Sequence, residues 1–295
     1  MTGGRHGVIV IDKPAGLSSA RALDPLKRLA GRRVKVGHAG TLDPFATGVL
    51  VALVGDATRL SDLAMRLPKT YAATVAFGKE TDTLDPEGEV VAERDPGAAP
   101  ADLHAVAARF VGEIEQVPPA YSALKIGGRR AYKLARGGAP VEPAARSVRV
   151  HAIDVREVVW PEVRLRVVCG AGFYVRAFAR DLGREIGLPA HLATLRRTHV
   201  GPFTEGHAPE DVAWDRLVPS ERIVEAAGLA WIDLPPADAR AFAAGGAVPV
   251  PDLRPDAAAC AVRTEALFLG LGICEQPGRL QPKSVFAGAR ALLSK

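Results

Sequence analysis

Cysteine is scarce in this chain: Cys169, Cys260 and Cys274 are the only three in 295 residues. No two of them fall at C-x-x-C spacing, which argues against a zinc ribbon or a dithiol redox site. They read instead as reduced, packed thiols of a reducing compartment. Long apolar runs are also missing. Val8 to Ile11 stops at Asp12 and Lys13, and no run approaches the ~20 residues of a membrane-crossing helix. A signal peptide's apolar core and cleavage site are absent from the N-terminus, so a cytoplasmic protein is expected. No G-x-G-x-x-G follows a strand pattern, and no ligand cluster has metal spacing. Neither an organic cofactor nor a metal is therefore expected. No repeat of solenoid period occurs.

What is present fits a globular protein of one large domain and one small one. Hydrophobic residues make up 48% and charged residues 24%, with a net charge of +5. That balance is mild, and its distribution is more telling. Lys27, Arg28, Arg32, Arg33 and Lys35 form one basic cluster, and Arg129, Arg130, Lys133 and Arg136 a second. Arg176, Arg180, Arg184, Arg196 and Arg197 form a third. Such clusters suit phosphate contacts. A solvated face has the same composition, so charge alone leaves both readings open.

The patterning predicts mixed structure. Gly7 to Ile11 reads as a strand that runs into the Asp12-Lys13-Pro14 loop. Ser18 or Ser19 could cap a helix over 20–30, with Pro25 against it. Strands are expected over 48–54, 71–77, 146–158 and 162–169, with Trp160-Pro161 in a turn. Helical spacing appears over 57–67, 101–111 and 176–186, the last stopping at Gly187. Thr81 to Gly88 and Asp95 to Ala101 read as loops, and 197–203 as a final strand. Beyond Leu234-Pro235-Pro236 come a helix candidate at 238–244 and strand candidates at 258–264, 266–273 and 280–286. The class is α+β with a mostly antiparallel sheet, since strands and helices do not alternate regularly.

The stretch richest in chemistry is Gly37-His38-Ala39-Gly40-Thr41-Leu42-Asp43-Pro44. Gly37, Gly40 and Pro44 punctuate the backbone, so Asp43 sits on a fixed turn. A lone Asp-Pro is ordinarily a cap for the next element. A carboxylate held this way can equally serve as nucleophile or base.

Together with Asp12-Lys13-Pro14-Ala15-Gly16, this stretch resembles the signature of the TruB family of tRNA pseudouridine synthases. The resemblance continues through Lys69-Thr70-Tyr71, Gly78 with Thr81-Asp82-Thr83, and Val117 to Lys125. It ends with Gly172-Phe173-Tyr174-Val175-Arg176 and His191 to Arg197. It implies an enzyme that converts the T-loop uridine of tRNA, position 55, to pseudouridine. By resemblance Asp43 is the essential carboxylate, Arg176 its ionic partner, and Tyr71 stacks on the target base. His38 contacts the RNA around the flipped nucleotide, and Tyr174 and Leu195 line the uracil pocket. Lys125 faces RNA, Lys13 is structural or phosphate-facing, and Asp82 anchors a hydrogen-bond network near the site. The implied partner is the T-arm of tRNA, bound by a monomer with no obligate protein partner and no membrane.

The implied organisation is a pseudouridine synthase domain over 1–228, with an RNA-contacting insertion at about 125–150, and a PUA-like β domain over 229–295. Cys169-Gly170-Ala171-Gly172-Phe173 departs from the more usual Cys-Ser-Lys-Gly-Thr and lacks its lysine. Two other readings share the motifs: a guide-RNA-dependent relative working inside a complex, and a non-catalytic RNA-binding or tRNA-folding protein. The short C-terminal segment favours a stand-alone enzyme, and the intact Asp43 favours catalysis.

Overall fold

A computed structural model describes residues 5–121, 125–126, 129–130, 143–265 and 267–290. The chain opens with β1 (Gly7–Lys13), α1 (Ser19–Ala22), α2 (Asp24–Ala30), β2 (Val36–His38) and β3 (Thr47–Val54). The helix expected over 20–30 is two short helices. Ser18 caps the first by accepting from the Arg21 N–H, and Pro25 occupies the first turn of the second. Proline has no N–H to give an earlier turn, so it fits where a helix begins rather than where one continues. The segment expected as a helix over 57–67 is a 3₁₀ turn, Gly55–Leu60, followed by α3 (Ser61–Arg66).

Next come β4 (Lys69–Phe77), β5 (Lys79–Thr81), β6 (Val90–Glu93), α4 (Leu103–Ala108) and β7 (Gly112–Gln116). Two-residue strands β8 (Lys125–Ile126) and β9 (Arg129–Arg130) pair with each other. The long hairpin β10 (Arg146–Val159) and β11 (Glu162–Cys169) leads to α5 (Val175–Glu185) and β12 (Ala190–Val200). These build an eight-stranded sheet in the order β1-β3-β12-β4-β11-β10-β7, with β2 on β3. Every pairing in it is antiparallel except β3 with β12. The fold is thus α+β with a mostly antiparallel sheet, as the patterning predicts.

The strand expected over 197–203 in fact starts at Ala190. Its register slips between Leu192 and Thr194 and again between Arg197 and His199. Each slip breaks the alternation that a sequence pattern relies on. On β4, Tyr71, Ala73, Val75 and Phe77 face one core with Leu165, Val167 and Leu192 of the neighbouring strands. Phe178 and Leu182 of α5 close that core. Each such side chain contributes roughly 1.5–3 kcal/mol on full burial.

The C-terminal part holds α6 (Glu221–Ala226), β13 (Trp231–Asp233), α7 (Pro236–Ala243), β14 (Val248–Pro249), β15 (Asp256–Thr264), β16 (Leu267–Gln276), β17 (Arg279–Val285) and α8 (Ala287–Arg290). A five-stranded sheet, β13-β15-β16-β17-β14, forms its centre. Ala261, Phe268, Leu271 and Phe286 from this part join Val49, Val51, Leu53, Leu60 and Ala64 in one apolar cluster. The two sheets therefore share a core rather than hanging from a linker.

One glycine fixes the strand that follows the Asp43 loop. Gly48 has φ +102, and a Cβ there would lie 2.2 Å from the Arg197 carbonyl oxygen across the parallel pairing. Gly48→Ala is expected to destabilise the protein by about 2–5 kcal/mol, from left-handed strain plus overpacking. A urea-unfolding midpoint indistinguishable from wild type would contradict this.

Candidate active site

The loop between β2 and β3 carries Asp43, and three residues distant in sequence hold it. Ser19 Oγ donates to the Leu42 carbonyl at 3.0 Å and accepts from the Leu42 N–H at 2.8 Å. Lys13 is fully buried, and its ammonium donates to the carbonyls of Pro14, Leu17 and Pro44 at 2.8, 2.7 and 3.1 Å. Arg197, also buried, donates to Val49 O at 2.7 Å and Gly40 O at 3.1 Å. Of the two roles open for Lys13, the geometry gives the structural one: its three donors are spent on backbone. Burial pushes its pKa down to about 8 against the opposing pull of Asp43.

The Asp43 side chain keeps 34% of its surface exposed, while its partner Arg176 is almost completely buried. Arg176 Nη2 donates to Asp43 Oδ1 at 3.1 Å, and Nε lies 2.9 Å from Oδ2. The Nε approach is off-axis, so that contact is ionic rather than a second hydrogen bond. Arg176 also meets a second carboxylate: Nη1 sits 3.1 Å from Asp85 Oδ2. The carbonyls of Thr83 and Tyr121 accept from the same guanidinium at 2.8 and 2.9 Å. A cation in the first turn of α5 opposes the helix dipole, and two carboxylates offset that cost.

Asp85 is the residue that sequence reasoning missed. It is buried, and Oδ1 accepts from Thr83 Oγ1 at 2.6 Å and from the Glu87 N–H at 3.1 Å. Asp82, to which the resemblance assigns the network, instead accepts from the Glu89 N–H at 2.9 Å and closes its own loop. The Thr81-Asp82-Thr83-Leu84-Asp85 run held the only signal, and it offers two carboxylates with nothing to choose between them.

A cavity of about 360 Å³ opens over Asp43, and Tyr71, Tyr174, Arg176 and Leu195 line it with Lys69, Arg146 and Arg197. Tyr71 is buried on β4, and burial raises its pKa, with Arg197 pulling the other way. Tyr174 precedes α5; its backbone is held at both ends by the Gln116 amide, and the Arg146 guanidinium lies 4.9 Å over its ring. His38 stands on β2 and does not line this cavity; its Nδ1 is buried, with no partner among the described residues. Burial, then Arg197 and Lys27, lower its pKa. Lys125 falls on β8, and its side chain lies outside the described residues.

The basic clusters divide sharply. Lys27, Arg28, Arg32, Arg33 and Lys35 are exposed. The side chains of Arg129 and Arg130, with the whole of Lys133 and Arg136, lie outside the described residues. The third cluster is no surface patch. Arg176, Arg180 and Arg197 are buried, and Arg196 pairs with both Asp12 oxygens at 2.7 and 3.0 Å. Proximity in sequence put them together, but the helix and strand that carry them turn most of them inward. Among the described residues no group of three His, Cys, Asp or Glu could hold a metal, and no helix is long and apolar enough to cross a membrane.

Comparison with known proteins gives a consistent picture. The family model described as TruB family pseudouridylate synthase, N-terminal domain, matches residues 27–175. The tRNA pseudouridine synthase B of Xanthomonas campestris pv. campestris strain B100 is 40% identical, over 97% of this chain and 96% of its own. That of Aromatoleum aromaticum is 42% identical, over 94% of this chain and 91% of its own. Among solved structures, a chain of a Cbf5-Nop10-Gar1 complex superposes with a TM-score of 0.73 at 26% identity, covering 96% of this chain and 85% of that one.

Proposed function

The chain belongs to the TruB family of pseudouridylate synthases, and from that membership we propose that it converts the T-loop uridine of tRNA, position 55, to pseudouridine. The broad activity, isomerising uridine in tRNA to pseudouridine, is that of an isomerase whose relatives span nearly the whole chain. The observation that carries the assignment to this cavity is the Asp43–Arg176 pair at its base, with Tyr71 and Leu195 beside it.

The reaction breaks the bond between N1 of uracil and C1′ of ribose, turns the base, and joins C5 to C1′. The hydrogen on C5 leaves as a proton, so no oxidant, reductant or cofactor is consumed. Asp43 either attacks C1′ or removes a ribose proton to give a glycal, and both routes need its free carboxylate. Arg176 fixes that carboxylate in position with a planar fork. The base reaches the cavity only by leaving its stack; Tyr71 then offers a ring face, Leu195 and Tyr174 the walls. His38 and Lys125 act further out on the RNA.

Residues 1–228 form the catalytic part and 229–295 a PUA-like RNA-binding part, and the enzyme works alone as a cytoplasmic monomer. That relatives spanning nearly the whole chain are named tRNA pseudouridine synthase B supports the stand-alone reading over a guide-RNA-dependent one. The experiment is mass-resolved mapping of pseudouridine in unmodified tRNA treated with the protein. Pseudouridine confined to position 55 is expected. No pseudouridine at any position overturns the reading, and modification elsewhere overturns its T-loop assignment.

A further inference from the structure

Lys69 is the buried cation whose partners do not account for it. Lys13 spends its ammonium on three carbonyls, Arg197 binds the backbone of the Asp43 loop and β3, and Arg176 meets two carboxylates. The Lys69 side chain, on a residue only 7% exposed, donates to the Met65 carbonyl. No ion pair to it is found among the described residues, although an ammonium carries three donors. Lys69 lines the cavity above Asp43.

The charges facing that cavity do not balance. Among the described residues, Lys69, Arg146, Arg176 and Arg197 line it with a single carboxylate, Asp43. That carboxylate is already paired with Arg176. Among the described residues, the groups packed on Lys69 supply no anion. Arg197 comes from β12, Tyr71 from its own strand, and Cys169 from β11, where burial pushes the thiol up to about 12 and keeps it neutral. Burying a cation without a counter-charge is costly, and an anionic ligand in the cavity would offset that cost. An RNA nucleotide drawn into the cavity brings one kind of anion, its phosphodiester.

We propose that Lys69 is a phosphate-binding residue of this site: its ammonium takes one of the two phosphodiesters that flank the flipped uridine. The inference rests on the reading of the cavity as an RNA-modifying site. Base flipping swings the flanking phosphates with the base, and an anchored phosphate holds the nucleotide extruded. Burial and the nearby Arg197 lower the Lys69 pKa to about 8. An arriving phosphate favours the charged form, so binding near pH 8 takes up a fraction of a proton, and affinity falls as pH rises through that value.

The test pairs Lys69→Met with T-arm hairpins in which the phosphate 5′ or 3′ of the target uridine is a neutral methylphosphonate. With the ordinary hairpin, Lys69→Met should raise KM about 10- to 100-fold, the usual loss for a charged hydrogen bond, and outweigh any fall in single-turnover rate. One of the neutral linkages should weaken wild-type binding by a similar factor. Combined, variant and linkage should cost no more than either alone. Calorimetry near pH 8 in buffers of different ionisation enthalpy should show less proton uptake with Lys69→Met than with wild type.

Losses that multiply independently overturn the proposal, as does a wild type indifferent to both neutral linkages. The latter result needs no variant and holds even if Lys69→Met fails to fold. A wild type that leaves the ordinary hairpin unmodified, yet binds it, overturns the functional reading instead, while the binding comparison still tests Lys69.

Discussion

Asp43→Asn is expected to lower pseudouridine formation by about 10⁴- to 10⁶-fold, the range seen when an essential nucleophile is removed. The amide is nearly isosteric but neither attacks C1′ nor takes a proton. Structure should survive the change for a particular reason. Arg176 would lose one ionic partner but keep Asp85 at 3.1 Å and the carbonyls of Thr83 and Tyr121. Its buried charge is therefore not orphaned, which is the usual route by which breaking a buried pair unfolds a protein. The loop itself is held by Ser19, Lys13 and Arg197 through backbone atoms of its neighbours, none of which the substitution touches. Single-turnover release of label from tritiated-uridine tRNA, with binding by filter retention, separates chemistry from grip. Turnover near wild type in a verified Asp43→Asn preparation would remove Asp43 from the mechanism.

The parts of the site legible in the sequence were those carried by short contiguous motifs. Gly40 and Pro44 mark a turn, and the structure has Gly40 at φ +96 within it. Arg176 opens a helix where a cation is disfavoured by the dipole, which already pointed to an anion beside it. The structure puts Asp43 and Asp85 there. Asp85 was illegible because its role depends on how one turn folds back on a helix 91 residues away, which no spacing records. Arg197 was misassigned to a basic surface for a related reason. Its register in β12 follows a slip that reverses which face its neighbours occupy, and burial of a guanidinium is decided by carbonyls on β3 and the Asp43 loop. The C-terminal strands were readable from their apolar runs. Their sharing of a core with β3 was not, since Phe268 and Val51 are ordinary core residues in either arrangement.

The mutual support of these elements has a consequence for how the cavity works. Lys13 and Gly16 both bond Pro44, so the loop after β1 braces the Asp43 loop. Gln116 braces Tyr174 from the opposite side. The pocket walls are thus set by backbone hydrogen bonds and side chains rooted in strands. Rigid support of this kind keeps reacting groups aligned without reorganisation during the reaction.

Tyr71→Phe is expected to slow the single-turnover step by about 10²- to 10⁴-fold while leaving fold and RNA binding in place, the range for a lost proton-transfer group. The argument begins with burial. Tyr71 lies in the middle of the sheet, and burial raises its pKa above the ordinary phenol value, with Arg197 opposing. The phenol is therefore protonated at neutral pH, so if the hydroxyl takes part in the reaction it does so as a donor or relay beside Asp43. Because its ionisation lies so high, it should give the rate no pH dependence between about pH 7 and 9. A rate climbing tenfold per pH unit there would instead assign the work to a phenolate. Phenylalanine keeps the ring face, so stacking on the base survives. Tyr71→Leu should lose that as well, a further roughly 1–3 kcal/mol per stacked base, read as weaker binding. The contrast between the two variants separates the hydroxyl from the ring. Near wild-type single-turnover rates for both would leave Tyr71 as nothing more than a core side chain of β4.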